Sequence, residues 1–425
     1  MWDCIPKNNA KRRQIIFIFD AMLFTQAAFI LYLIVFIYCA GSVFYLFVLS
    51  VAGRLGSRKR AGFTPGMAVK KIAVLVPAYK EDGIILSTAN NLLQLDYPIE
   101  LRKIFIIADS FREETIVALR RLPVEVMVVS FDKSTKTKSL NEAFGRIKED
   151  FDIALICDAD NMLAPDFLRR INDAFAGGAR AVQGRRVAKN LDTSFAILDA
   201  CSEAINNHIF RKGAYAMGLS SAVIGSGMAF EFGTIREILG GVQAVGGFDK
   251  IVQLRIVEQG NRIHYLEDAL VFDEKVGSSR AFQQQRKRWV SSQFIYLKRY
   301  FAPACRLLLK GNFSYFNLAV ANSLVPPRAF LFVLLPLLTV AGLFFGLWWA
   351  IAGVGLGVLF LMSLAMGVPA ELVNRDLWVA ILRLPRAIAV MVGTLFHIRK
   401  ADKTFIHTVH TKTEIGNNAF RDPVK

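Results

Sequence analysis

The chain has 425 residues, 54% of them hydrophobic and 20% charged, with a mean hydropathy of +0.38. That is too apolar for an ordinary soluble enzyme and too charged for a chain made only of membrane helices, so two or three structural units are expected. Lys+Arg 52 against Asp+Glu 35 gives +17; basic residues flanking apolar runs account for such an excess without nucleic acid, and the composition excludes disorder, collagen-like repeats and a disulfide-stapled secreted fold.

Lys7, Lys11, Arg12 and Arg13 precede the first apolar run and spoil a simple orientation of it. The 38 residues from Ile15 to Ala52 carry one charge, Asp20. A helix crosses the bilayer with about 20 apolar residues, so the run holds one span with an interfacial lead-in, or two short spans for which no turn residues mark a hairpin. It far exceeds a signal-peptide core of about 7–15 residues and is expected to be an anchor. Cys4, Cys39, Cys157, Cys201 and Cys305 are scattered without a Cys-x-x-Cys pair, as reduced thiols are.

Between Lys70 and about Arg299 short apolar runs alternate with helical stretches. Residues 71–76, 103–108, 124–129 and 152–157 have strand length and composition, and 84–95, 113–122 and 139–148 read as helices. Such alternation predicts a parallel α/β sheet, whose ligands bind beyond the carboxyl ends of the strands. The informative residues are therefore Pro77 to Glu81, Asp109 and Ser110, and Asp158 to Asn161. No Gly-x-Gly-x-x-Gly or P-loop follows the first strand, so phosphates would need another holder. Asp158 and Asp160 could supply one through a divalent cation, because Mg²⁺ takes one or two carboxylates plus phosphate oxygens. The plainer reading is a strand that ends in solvated aspartates.

Arg328 and Glu371 enclose 42 uncharged residues, read as two spans joined near residues 346–353 with Trp348 and Trp349 at the interface. Residues 376–397, interrupted by Arg383, Pro385 and Arg386, suit an interfacial helix, or else a third span. Arg54, Arg58, Lys59, Arg60, Arg299, Arg306, Lys310, Arg328, Arg399, Lys400 and Lys403 crowd one presumed side, which puts the middle region in the cytosol.

Six motifs between Lys71 and Trp289 give the chain a resemblance to the membrane-bound family 2 glycosyltransferases, the group of the cellulose, hyaluronan and chitin-oligosaccharide synthases. The run from Val74 to Glu81 resembles the opening strand and nucleotide loop, which implies donor contacts at Pro77, Tyr79 and Glu81. Asp109 matches the uracil-contacting Asp, and Lys136, ahead of Ser139-Leu140-Asn141, resembles a Lys near the diphosphate. Asp158-Ala159-Asp160 matches the metal-binding Asp-x-Asp, and Gly225-Ser226-Gly227 the small-residue loop beside the acceptor. Gln285, Arg288 and Trp289 match Gln-x-x-Arg-Trp.

The resemblance implies an α/β GT-A fold, a Rossmann-like nucleotide-diphospho-sugar transferase domain, and a divalent metal ion, Mg²⁺ or Mn²⁺. Asp158 and Asp160 would hold the ion, Arg288 and Lys136 would add donors to the phosphates, and Gln285 and Trp289 would face the acceptor. For Lys136 the plainer role is a surface cation beside a helix end, and for Trp289 a membrane-interface anchor. Asp249, in Gly247-Phe248-Asp249-Lys250, aligns with the catalytic base, although Phe248 stands where the family has a preceding acid. Lys250 would favour its ionised form; the structural alternative is a helix N-cap, and the rival acids are Glu267 and Asp268. Residues 404–412 loosely resemble the gating loop of cellulose synthases, against the plainer reading of a solvated tail whose histidines, His407 and His410, do nothing.

The expected organisation is an anchor at 1–69 with its span within 15–52, a cytosolic GT-A domain at 70–299, an interfacial segment at 300–327, two spans at 328–370, and an interfacial or third helix with a basic tail at 371–425. The expected activity is inverting, metal-dependent transfer from a nucleotide-diphosphate sugar, UDP-linked, to a growing polysaccharide or oligosaccharide. So few spans would make polymer export depend on a homo-oligomer or an export partner. Single addition to a membrane lipid is the alternative, and an inactive nucleotide-sugar-binding scaffold the second. The expected setting is the inner or plasma membrane.

Overall fold

The computed structural model describes residues 9–56, 68–242, 247–275, 279–383, 385 and 410–416, with side chains from Phe17 in the first helix and from Gln293 in the helix that begins at Ser279. The chain forms two compact units: Met1–Val48 with Pro326–Ser363, and Leu49–Val325 with Leu364–Lys425.

The first unit is helical. Helices Asn9–Leu55, Arg328–Phe345 and Leu347–Ala365 each contain a segment long and apolar enough to cross a membrane. Their large apolar side chains stay exposed, among them Phe17, Phe24, Leu31, Phe344 and Trp348, as lipid-facing residues do. The last two helices meet at Gly346, where φ is +134°. They close on each other where a Gly353 Cβ would lie 2.6 Å from Thr339 Oγ1. Small residues allow that approach. The ring of Trp349 packs edge-on against Tyr32 and Phe36.

The second unit is built on one eight-stranded sheet. Its strands are β1 (Ile72–Tyr79), β2 (Arg102–Asp109), β3 (Glu125–Val129), β4 (Ile153–Ile156), β5 (Met162–Leu163), β6 (Ala181–Ala188), β7 (Met228–Glu231) and β8 (Ile263–Asp273), in the order β3-β2-β1-β4-β7-β6-β8-β5. The four strands expected from the apolar runs are parallel to their neighbours in β3-β2-β1-β4. Beyond β4 the sheet departs from the all-parallel expectation. β7 runs antiparallel to β4 and β6, β8 is parallel to β6, and β5 is antiparallel to β8.

β1 and β4 read as unbroken apolar runs because both faces of the sheet are covered. Ala73, Leu75, Phe105 and Ile107 bury one face against Leu140, Phe144 and Phe232, and Ile72, Val74, Val76, Ile104 and Ile106 bury the other against Ile85, Leu92 and Leu119. Each of the larger of these side chains stabilises the fold by about 1.5–3 kcal/mol. The order reverses at β1, which lies between β2 and β4. The carboxyl ends of these three strands flank the crevice where open α/β sheets take their ligands.

Candidate active site

Strands β1 and β2 end in step: Tyr79 pairs with Asp109, and Lys80 N donates to Asp109 O at 3.1 Å. The next residues, Lys80 and Ser110, have φ of 55° and 59° and are the described non-glycine residues with positive φ. Such backbone strain clusters where a chain must turn under a ligand. Asp109 is fully buried; Oδ1 accepts from Ser110 Oγ at 3.0 Å, while Oδ2 lacks a hydrogen-bond partner among the described residues. An unpaired buried acceptor is costly, and an N–H donor of a ligand would relieve it.

At the end of β4, Asp158 N donates to Ser226 Oγ at 2.9 Å, fixing the strand end to the 225–227 loop. Gly225 and Gly227 have φ of 83° and 60°, and a Cβ on Gly227 would lie 2.3 Å from Val271 Cγ2, so glycine is required there. Lys136 opens the helix Lys136–Arg146, capped by Thr135. Its ammonium pairs with the Asp158 carboxylate, donates to Gly225 O at 2.7 Å, and lies 5.3 Å from the centre of the Phe248 ring.

Asp249 reaches the same place from another element. It occupies the first turn of the helix Phe248–Glu258, whose N-cap is Gly247, so the N-cap alternative does not describe it. Its Oδ2 lies 4.0 Å from where a Gly225 Cβ would stand. Oδ1 accepts from Lys250 N at 2.9 Å. Burial raises the carboxyl above its ordinary range and outweighs Lys250, the reverse of the balance expected from the sequence. Four chain segments thus converge on Asp158, Lys136, Gly225 and Asp249.

The family model described as glycosyltransferase like family 2 matches residues 70–292, just over half of the chain. The chain belongs to this family. It is 22% identical over 246 residues to the probable glycosyltransferase YdaM of Bacillus subtilis (strain 168), covering 54% of this chain and 56% of that protein. It is 24% identical over 275 residues to the beta-monoglucosyldiacylglycerol synthase of Synechocystis sp. (strain ATCC 27184 / PCC 6803 / Kazusa), covering 61% and 56%. The chain therefore spans a little over half the length of these relatives. Among solved structures, the mannosyltransferase PcManGT of Pyrobaculum calidifontis, in complex with GDP-Man and Mn²⁺, aligns over 84% of this chain and 99% of its own at 19% identity and a TM-score of 0.46.

In this family 2 glycosyltransferase Asp160 is buried beside Asp158. Burial raises its carboxyl, and the charges of Asp273 and Asp158 add to the shift. Crowded carboxylates of that kind suit a divalent cation, which would offset their repulsion. Among the described residues no three His, Cys, Asp or Glu side chains gather as a metal centre. Two carboxylates remain enough for an ion that completes its shell with phosphate oxygens.

Behind the aspartates the transferase carries polar residues that the sequence reading missed. Asn161 Nδ2 donates to Asp273 Oδ1 at 3.1 Å, and Lys275 Nζ to Asp273 Oδ2 at 2.7 Å. Arg186 donates to Glu203 at 2.6 Å and lies 3.7 Å from Asp273, while Arg211 lies 3.4 Å from Glu203. Asn161, Arg186 and Asp273 lie far apart in sequence and share no local pattern, so their association carries no signal until the sheet is assembled.

The tail segment 410–416 lies across the strand ends. His410 Nδ1 is 2.9 Å from Glu81 Oε1 and Nε2 is 3.7 Å from Asp160 Oδ2. Burial works against its charge, but the hydrogen bond to Glu81 and the charges of Asp160 and Glu81 raise the imidazole to about 9. Thr411 N and Lys412 N donate to Glu274 at 3.1 and 2.9 Å, and Gly416 N donates to Lys189 O at 3.0 Å. The solvated-tail reading is therefore corrected for His410. Residues 404–409, with His407, lie outside the described residues, as do the side chains of Gln285, Arg288 and Trp289, whose backbone belongs to the helix Ser279–Leu309.

Proposed function

We propose that this protein transfers a sugar, with inversion, from a nucleoside diphosphate donor to a hydroxyl presented at a membrane surface. The convergence of Lys136, Gly225 and Asp249 on Asp158 at the end of β4, with buried Asp109 at the end of β2 in the same sheet, carries this reading. Asp109 would accept from the base of the donor, with uracil as the fitting base, and Pro77, Tyr79 and Glu81 would line its pocket. Asp158 and Asp160 would hold Mg²⁺ or Mn²⁺, whose charge neutralises the departing diphosphate. Lys136 would donate to the same phosphates, with Arg288 beside it. Asp249 would take the proton of the acceptor hydroxyl as its oxygen bonds to the anomeric carbon; the bond to the diphosphate breaks and its electron pair leaves with the nucleotide. Gly225, Ser226 and Gly227 would let the acceptor approach the backbone, with Gln285 and Trp289 as the wall.

The domain is proposed to face the cytosol, with spans in the 15–52 and 328–370 regions. The Gln-x-x-Arg-Trp resemblance supports chain extension of a saccharide. The second reading, one sugar added to a membrane lipid, is favoured by the Synechocystis relative, whose name is that of a glycolipid synthase. The test is nucleotide release by the detergent-purified protein over a panel of UDP-sugars and GDP-mannose, with Mn²⁺ or with EDTA, and products sized by mass spectrometry. Metal-dependent release from one donor is the expected result. A ladder of masses would mark extension, one added hexose the lipid, and intact donors throughout would leave a nucleotide-sugar-binding scaffold.

A further inference from the structure

The consecutive carbonyls of Asp158, Ala159 and Asp160 are each taken by a different donor. Asn161 N donates to Asp158 O at 3.1 Å, closing the turn that follows β4. Thr88 Oγ1 donates to Ala159 O at 2.5 Å, and Lys189 Nζ donates to Asp160 O at 2.8 Å. From a further side Ser226 Oγ accepts from Asp158 N and donates to Asn161 Oδ1. The main chain that carries the two aspartates is therefore cradled by side chains, not left as a free loop.

These side chains come from three distant elements. Thr88 lies in the helix Ile85–Leu93, Lys189 directly follows β6, and Ser226 sits between the two positive-φ glycines of the 225–227 loop. Thr88 and Lys189 are each 1% exposed and Ser226 is 0% exposed, so these bonds are made where water does not compete and polar contacts are strong. Lys189 is held in turn, its N donating to Asp273 O at 2.8 Å. A turn gripped from so many sides has little freedom to change the spacing of its two carboxylates.

Lys189 is the informative member. A neutral donor would satisfy the Asp160 carbonyl, and a buried ammonium is expensive to desolvate. Its charge also stands beside carboxylates that are to take a divalent cation, and so opposes the ion. What the lysine gives the site is therefore geometry. Mg²⁺ and Mn²⁺ suit octahedral oxygen sites. Mg²⁺ demands near-ideal ligands at about 2.0–2.1 Å, whereas Ca²⁺ accepts about six to eight oxygens at about 2.3–2.6 Å in flexible arrangements. A rigid pair of carboxylates favours the smaller ion, and a loosened pair takes either.

We propose that Thr88, Lys189 and Ser226 are positioning residues that set the spacing of the Asp158 and Asp160 carboxylates and so select a small divalent cation over Ca²⁺; this rests on the metal-assisted transfer reading above. The test follows the free Mn²⁺ signal by electron paramagnetic resonance as the detergent-purified full chain is titrated with Mn²⁺ beside UDP or GDP, with Ca²⁺ as competitor. The unaltered chain is expected to prefer Mn²⁺, and Lys189→Met to weaken Mn²⁺ about tenfold, the scale of losing a partner of a metal ligand, while narrowing the preference over Ca²⁺. Loss of the positive charge alone would act in the opposite sense and tighten both ions. Should Lys189→Met fail to fold, Thr88→Val, which removes one hydroxyl, carries the test with the same expected direction. Unchanged or tighter Mn²⁺ binding in the folded variant, equal loss of both ions, or an unaltered chain without preference would overturn the positioning role while donor release continues. Nucleotide release without Mn²⁺ binding would overturn the metal site and this role and leave transfer standing; neither binding nor release would overturn both readings together.

Discussion

The ammonium of Lys136 joins the Asp158 carboxylate to the carbonyl oxygen of Gly225, so the end of β4 and the 225–227 loop share one cation. Lys136→Met is expected to lower donor turnover by about 10²-fold, the scale of losing one positioned donor to developing charge. The pair is partly exposed, 22% at Lys136 and 33% at Asp158, so thermal stability should change little. Nucleotide release and a melting curve check both; Lys136→Met with full turnover would remove Lys136 from the phosphates.

Asp249 must be ionised to act as a base, and burial raises its pKa. The rate should fall as pH falls through that raised value, so the acid limb of kcat/KM should sit above the ordinary carboxylate range. Asp249→Asn should cost about 10²–10⁴-fold at the plateau and abolish the limb. A limb at the ordinary carboxylate position, or one that survives the substitution, would assign the base elsewhere, with Glu267 and Asp268 next in line.

Glu203 is buried; burial alone would raise its carboxyl, but Arg186, Lys275 and Arg211 bring it down to about 2. A depressed folded pKa gives stability that is present above the unfolded value near 4.5 and lost as pH falls through about 2, worth about 3 kcal/mol in full. Glu203→Gln leaves Arg186 and Arg211 without that charge and should lower the melting temperature at pH 7. The gap to the unaltered chain should narrow between pH 4.5 and 2. Melting curves across that window decide it; a gap independent of pH would mean that the glutamate acts by shape alone.

Two of the ties that hold the tail differ in strength. Glu274 accepts from Thr411 N and Lys412 N, whereas Lys412 Nζ meets Asp192 in an exposed pair at 2.7 Å. Exposed pairs contribute about 0–1 kcal/mol, and hydrogen bonds to a charged group about 1.5–3 kcal/mol each. Glu274→Ala should therefore release residues 410–416 to hydrogen exchange and proteolysis, and Lys412→Ala should not. The opposite ranking would show that the surface pair holds the tail.

The parallel half of the sheet was legible because β1 and β4 are buried on both faces and so written as apolar runs, with their ligand-facing residues directly after them. The antiparallel half was not. β6 contains Gln183, Gly184, Arg185 and Arg186 within one strand, polar residues that pair with loops and with Glu203 only after assembly. Asp158 and Asp160 could be singled out from spacing, and Lys136 and Asp249 only through the resemblance. His410 could not: the Glu81 and Asp160 that surround it are 329 and 250 positions away, and a lone histidine in a basic tail looks solvated until the chain returns.

The α/β unit is discontinuous: its sheet is complete by Asp273, yet the helix Arg375–Leu382 returns after the two last candidate spans to pack Leu377 and Ala380 on Ile197, Ala200 and Cys201. During synthesis that groove is made some 170 residues before its cover, and domains generally fold from the N-terminus as they emerge. The catalytic unit therefore stays open along one flank until the helical hairpin has been made. Completion of the enzyme is thereby coupled to the birth of its last two candidate spans.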